Sequence, residues 1–156
     1  MKHMKNKRMI NWILLIIWMV IIFEFSSQTG AVSGDLSNSL LYRLLGIFIK
    51  DLSDINPDIL KTLMFLIRKL AHFSEYAILS VLMLNVLKSY YDFSFKLGLL
   101  ALVLCALYAA SDEFHQLFIP GRAGSLKDVL IDTSGSAFSL LIYGLYLKWS
   151  KGKLLS

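Results

Sequence analysis

Seven ionisable side chains stand where apolar runs would be expected to exclude them: His72, Glu75, Asp112, Glu113, His115, Asp128 and Asp132. His72, Glu75 and Tyr76 are spaced i, i+3, i+4 and share one helix face, with Arg68 one turn before His72. Tyr108, Asp112, His115 and Gln116 share a second face. Glu113 projects about 100° away from Asp112, so a regular helix does not aim both carboxylates at one point. Asp128 and Asp132 lie one turn apart, with Gly135 following. A histidine oriented by a carboxylate can serve as acid, base or nucleophile, which makes His72, Glu75, Asp112 and His115 the candidate catalytic residues. His72, Glu75, Asp112, His115 and Asp132 are also ligand types for a hard or borderline divalent metal. Their HxxE and DxxH spacings are not the HExxH pattern, so the metal and any other cofactor are left unknown.

Arg122 and Lys127, in the run PGRAGSLKD, can hold a phosphate or carboxylate. Pro120, Gly121 and Gly124 make this run a tight turn, with backbone donors near a helix N-terminus. Ser125 is placed to cap the following helix, with Asp128 in the capping-box position. Tyr76, Glu113, Gln116, Arg122, Lys127, Asp128 and Asp132 make up the candidate substrate-binding set. Structural roles compete with each of these readings. Asp128 could simply complement a helix N-terminus, His72 could be a bonded core histidine, and Glu75 or Asp132 could pair with Arg68, Arg122 or Lys127. Tyr76 and Tyr108 suit packing, Asn85 interhelical bonding, and Glu24 an interfacial position. What these separate roles leave unexplained is three polar helix faces at one depth.

The elements that must carry these residues are membrane spans. The chain of 156 residues is 56% hydrophobic and 17% charged, which excludes an ordinary soluble domain, a disordered chain and, despite a formal charge of +5, a nucleic-acid binder. Four apolar runs, near 10–25, 70–87, 95–116 and 129–147, approach the length needed to cross a bilayer. The fold expected is all-α: a single polytopic membrane domain over 1–156, with four transmembrane helices. The core apolar stretches of the first and third runs are short, so flanking Lys and aromatic residues would have to cover the mismatch. The basic N-terminus, the apolar run and the small residues of SSQTGAVSG also describe a cleavable signal peptide, the rival reading of the first span. Placing the N-terminus inside puts nine of the sixteen Lys and Arg residues on the cytoplasmic side against one acid, Asp92, so both termini read as cytoplasmic. The polar ends of spans two, three and four then meet at the outer interface. Residues 26–69 form an extracytoplasmic segment: a polar stretch over 26–39, a short interfacial or re-entrant helix over 40–49, and a turn over 51–58. Asn56 and Pro57 in that turn could start a helix continuous with span two. The single cysteine, Cys105, reads as a small buried apolar group and rules out an intrachain disulfide.

The runs KLAHFSEYAIL (69–79), SDEFHQLF (111–118) and PGRAGSLKD (120–128), with Asp132 to Gly135, resemble the VanZ-like family. FSSQTG (25–30), followed by Ser33 and Ser37, is similar to the segment after that family's first helix, so the resemblance covers essentially the whole chain. It features His72, Glu75, Tyr76, Asp112, Glu113, His115, Gln116, Arg122, Asp128 and Gly135; Asp132 stands where an asparagine is often expected. The resemblance implies a small multi-pass protein of the bacterial cell membrane, associated with teicoplanin resistance or another envelope function.

Two functions follow as expectations. One is a membrane-embedded hydrolase or phosphatase acting on a membrane lipid or lipid-linked envelope precursor, with His72 or His115 as the reacting group, Glu75 and Asp112 orienting it, and Arg122 on the anion. The other is a non-catalytic envelope protein that binds a headgroup or partner, its polar cluster being structural. A transporter is disfavoured by four short spans without inverted repeats. Enzyme status, substrate and oligomeric state are left open.

Overall fold

The computed structural model describes residues 2–47 and 55–153, with side chains described over 5–47 and 55–150. Its described residues form five helices and no strand: α1 (Lys2–Ser26), α2 (Gly30–Leu45), α3 (Pro57–Lys88), α4 (Phe95–Gln116) and α5 (Leu126–Lys153). Polar caps start most of them. Thr29 accepts from the Val32 N–H at α2, Asn56 from the Asp58 N–H at α3, and Ser94 from the Leu97 N–H at α4. Pro57 occupies the first turn of α3, where its missing N–H costs nothing.

Four helices, over Lys5–Ser26, Pro57–Lys88, Phe95–Gln116 and Leu126–Ser150, are long and apolar enough to cross a membrane. The first and third candidate spans each extend to 22 residues, or about 33 Å at the helical rise, so neither helix is short for a bilayer. Helix α3 is continuous over 32 residues, about 48 Å, and outreaches the hydrocarbon core by several turns. Large apolar side chains cover the outside of the bundle, among them Ile16 and Val20 on α1, Val103 and Leu107 on α4, and Leu141 and Leu145 on α5. An apolar exterior around polar interior groups is the arrangement of a multi-pass membrane protein.

Helix α2 differs from the expected 40–49 helix. It begins ten residues earlier, at Gly30, and Gly46 closes it by donating its N–H to the Tyr42 carbonyl. Residues 48–49 of the expected helix, and 51–54 of the expected turn, lie outside the described residues. Most of the polar stretch expected over 26–39 is therefore helical, and Ser37 finds its acceptor on the helix itself. The Ser37 hydroxyl donates to the Ser33 carbonyl at 2.9 Å, and Ser37 and Leu41 form the buried stripe.

Helices α3 and α5 form the most extensive pair in the bundle. Gly135 permits it, since a Cβ there would stand 2.1 Å from the Phe73 carbonyl oxygen. One turn along the same seam, the Ser136 hydroxyl donates to the Tyr76 carbonyl at 3.1 Å, and the Ser80 and Ser139 hydroxyls meet at 2.5 Å. Helix α1 joins through Leu15 and Ile22, which share a core with Tyr76, Leu79, Val86, Ala109 and the free, buried Cys105.

Candidate functional site

Helices α3, α4 and α5 bring His72, Glu113 and Asp132 together, each offering one ligand-type atom within 4.8 Å of the others. His72 Nδ1 lies 3.6 Å from Asp132 Oδ1, slightly longer than a hydrogen bond. The Asp132 side chain is 0% exposed and that of His72 15%. Neither Asp132 oxygen, nor His72 Nδ1, has a hydrogen-bond partner among the described residues. This set differs from the five metal-type ligands read from the sequence, because Glu113 enters it and Glu75, Asp112 and His115 do not.

Glu113 and Asp112 do converge, although successive helix positions diverge. Gln116 stands i+4 from one and i+3 from the other, and its side-chain Nε2 donates to Asp112 Oδ2 at 3.2 Å and to Glu113 Oε1 at 3.1 Å. All three side chains are buried. The second oxygen of Glu113 accepts the Ser125 backbone N–H at 2.9 Å. Ser125 does cap α5, accepting from the Lys127 N–H. The reciprocal carboxylate at its own N–H, however, is Glu113 from α4 and not Asp128, which instead pairs with Lys69 at 2.5 Å. Asp132 faces His72 and makes no ion pair with Arg68, Arg122 or Lys127 among the described residues.

A cavity of about 310 Å³ lies beside this cluster. Arg68, His72 and Glu75 from α3, Asp112 from α4 and Arg122 from the α4–α5 loop form its polar wall. Ser26, Gln28, Ser33 and Ser37 line it from α1, the connection and α2, with Leu36 and Leu40 supplying apolar surface. Arg122 is held by its own backbone contacts: Nε donates to the Gln28 carbonyl and Nη2 to the Phe25 carbonyl, both at 3.0 Å. Gly121, the one described residue with positive φ (74°), brings the loop against Gly30, whose N–H bonds the Pro120 carbonyl. Burial, and then the positive charge of Arg68, lower the Arg122 pKa from its ordinary value, opposed by Asp112, Glu113 and Glu75. Arg68 Nε is buried without a partner among the described residues.

The remaining predicted residues fall elsewhere. His115 packs its ring on Phe23 of α1, with centroids 4.6 Å apart, outside both the cluster and the cavity. Tyr76 is wholly buried beneath His72, its ring 6.2 Å from that of Tyr108, and Tyr108 donates to the Met19 carbonyl at 2.7 Å. Both tyrosines occupy packed positions. Lys127 is exposed, as is Glu24. Sequence reasoning passed over Arg68 and the α2 serines as site residues, although the i, i+4 spacing of Ser33 and Ser37 was the signal for a polar helix face.

At the opposite end of the bundle, Lys7, Arg8, Asn11, Asn85, Lys88 and Ser89 line a cavity of about 390 Å³. Asn11 Nδ2 donates to the Asn85 carbonyl and to Ser89 Oγ, and Arg8 Nε to the Ser89 carbonyl, stitching α1 to the end of α3.

Residues 11–147 match a family model described as VanZ/LLP1. No curated protein and no solved structure matches the chain.

Proposed function

We propose a function on the premise that the chain belongs to the VanZ/LLP1 family and is a multi-pass membrane protein: its polar cavity binds the phosphate of a lipid or lipid-linked envelope precursor at the outer face of the bacterial cell membrane. The observation that carries this reading is the pair of arginines on one cavity wall. Arg68 and Arg122 stand close enough for one charge to disfavour the other, and Arg68 has an unpartnered buried Nε. Two guanidinium groups held this way favour an anion between them. The apolar surface of Leu36 and Leu40 suits the hydrocarbon of a lipid, and Ser33 and Ser37 offer hydroxyls to its polar part. The bias of Lys and Arg toward one side of the spans supports placing both termini in the cytoplasm. An envelope role, of the kind the resemblance links to glycopeptide resistance, then follows from control of a surface headgroup.

The test is binding by the full chain, purified in detergent, of inorganic phosphate and of vesicles containing phosphatidylglycerol or a polyprenyl phosphate, against phosphatidylcholine alone. The reading requires selective binding of phosphate-bearing anions and its loss in Arg68→Gln. Equal binding to phosphatidylcholine vesicles would end it.

Hydrolysis is the second reading, favoured by the contact of His72 with the buried Asp132 and by His72 and Glu75 lining the cavity. Turnover of the polyprenyl phosphate or phospholipid, lost in His72→Gln with binding retained, separates it from a binding role.

A further inference from the structure

Asp132 presents an electrostatic problem that the chain itself leaves open. Its carboxylate is fully buried, and both oxygens lack hydrogen-bond partners among the described residues. A buried charge in that condition is costly. Of the nearby cations, Lys69 pairs with Asp128 and Arg122 donates to the Phe25 and Gln28 carbonyls, and neither arginine, Arg68 or Arg122, forms an ion pair with Asp132 among the described residues. What does face Asp132 is His72, with its unpartnered Nδ1, and Glu113, a second carboxylate. The two carboxylates, turned toward one point with His72 from three helices, repel one another unless positive charge sits between them.

We infer that His72, Glu113 and Asp132 hold a divalent transition-metal cation of the zinc or manganese type. One imidazole and two carboxylates suit such an ion better than calcium, which takes six to eight oxygen ligands. Two ligands of a tetrahedral ion bound at about 2.0–2.1 Å stand roughly 3.3 Å apart. The 3.6 Å between His72 and Asp132 is a few tenths of an ångström from that separation. Glu113 is already oriented as a metal-bound carboxylate would be, with Gln116 Nε2 on one oxygen and the Ser125 N–H on the other. Each oxygen keeps a second lone pair for the ion. His72 also lines the headgroup cavity, so the cation stands at its edge. The assignment goes beyond the headgroup reading and does not depend on it.

The experiment uses the full chain with retained native lipid, stripped with a chelator and titrated separately with Zn²⁺, Mn²⁺ and Ca²⁺, with binding followed by calorimetry and the unfolding midpoint by a thermal melt. Expected are one equivalent of Zn²⁺ or Mn²⁺, bound more tightly than Ca²⁺, and a raised midpoint. Asp132→Asn and Glu113→Gln each weaken binding by about tenfold or more. Asp132→Asn without metal melts no lower than the wild type, because it removes an unpaired buried charge. Glu24→Gln, at an exposed acid, leaves binding unchanged. Failure of the folded wild type to bind either transition metal at millimolar concentration overturns the assignment, as does unchanged affinity in both ligand variants. Arg68→Gln keeps cation binding while losing phosphate, so the two readings fail separately.

Discussion

Glu113 on α4 accepts the backbone N–H of Ser125 at 2.9 Å, so the cap of α5 is completed by a side chain from the preceding helix. The same carboxylate accepts from Gln116. Glu113→Ala removes both acceptors and leaves a helix N-terminus and a buried amide short of partners. It should cost about 1–3 kcal/mol, with Glu113→Gln costing less because it keeps one acceptor. Denaturant or thermal unfolding in detergent, at fixed lipid content, measures the difference.

Gly135 touches Phe73 backbone to backbone, so the α3–α5 seam has no room for a side chain. Gly135→Val is expected to force the helices apart and destabilise the bundle by about 1–3 kcal/mol or more. Gly144, on the same helix, meets nothing within 4 Å of an added Cβ. Gly144→Ala should be neutral or stabilise by up to about 1 kcal/mol through helix propensity. Equal melting points for the two variants would contradict the close seam.

Asn11 holds α1 to α3 through the Asn85 carbonyl and Ser89 Oγ. Interhelical hydrogen bonds of this kind are worth about 0.6–2 kcal/mol within membranes. Asn11→Ala should lower the melting point by that order. A cycle with Ser89→Ala should show non-additive losses, because one of the bonds is shared.

Arg122 clamps the α1–α2 connection with two separate nitrogens, on the Phe25 and Gln28 carbonyls. Lysine keeps the charge but lacks the fork. Arg122→Lys should therefore make residues 27–30 cleave faster under limited proteolysis, while Lys127→Ala, at an exposed position, leaves the rate as it was. The ratio of cleavage rates between the two variants is the readout.

Much of the site was legible because helix periodicity assigns faces. The i, i+3, i+4 spacing put His72, Glu75 and Tyr76 on one face of α3, and antiparallel spans required the polar ends of α3, α4 and α5 to share a level. Gly135 and Ser136 announced a close helix approach, and α3 is the helix that approaches. Partner choice was not legible. Backbone angles separate Glu113 from Asp112, but Gln116 spans the gap with a flexible side chain that no helical wheel describes. His115 shared a face with Asp112, yet its ring met Phe23 of α1, because the edge of that face borders a different helix.

The amino-acid sequence by itself determined the solvent, the helical class and which residues are too polar for their surroundings. These follow from composition, run length and a fixed period of 3.6 residues per turn, all local quantities. Only the tertiary structure decided that Asp132 faces His72 and Glu113 while Asp128 takes Lys69, and that the serines of α2 close a cavity under two arginines. Those pairings depend on how far helices slide and rotate against each other, and that is set by steric fit at contacts such as Gly135 with Phe73, between residues distant along the chain.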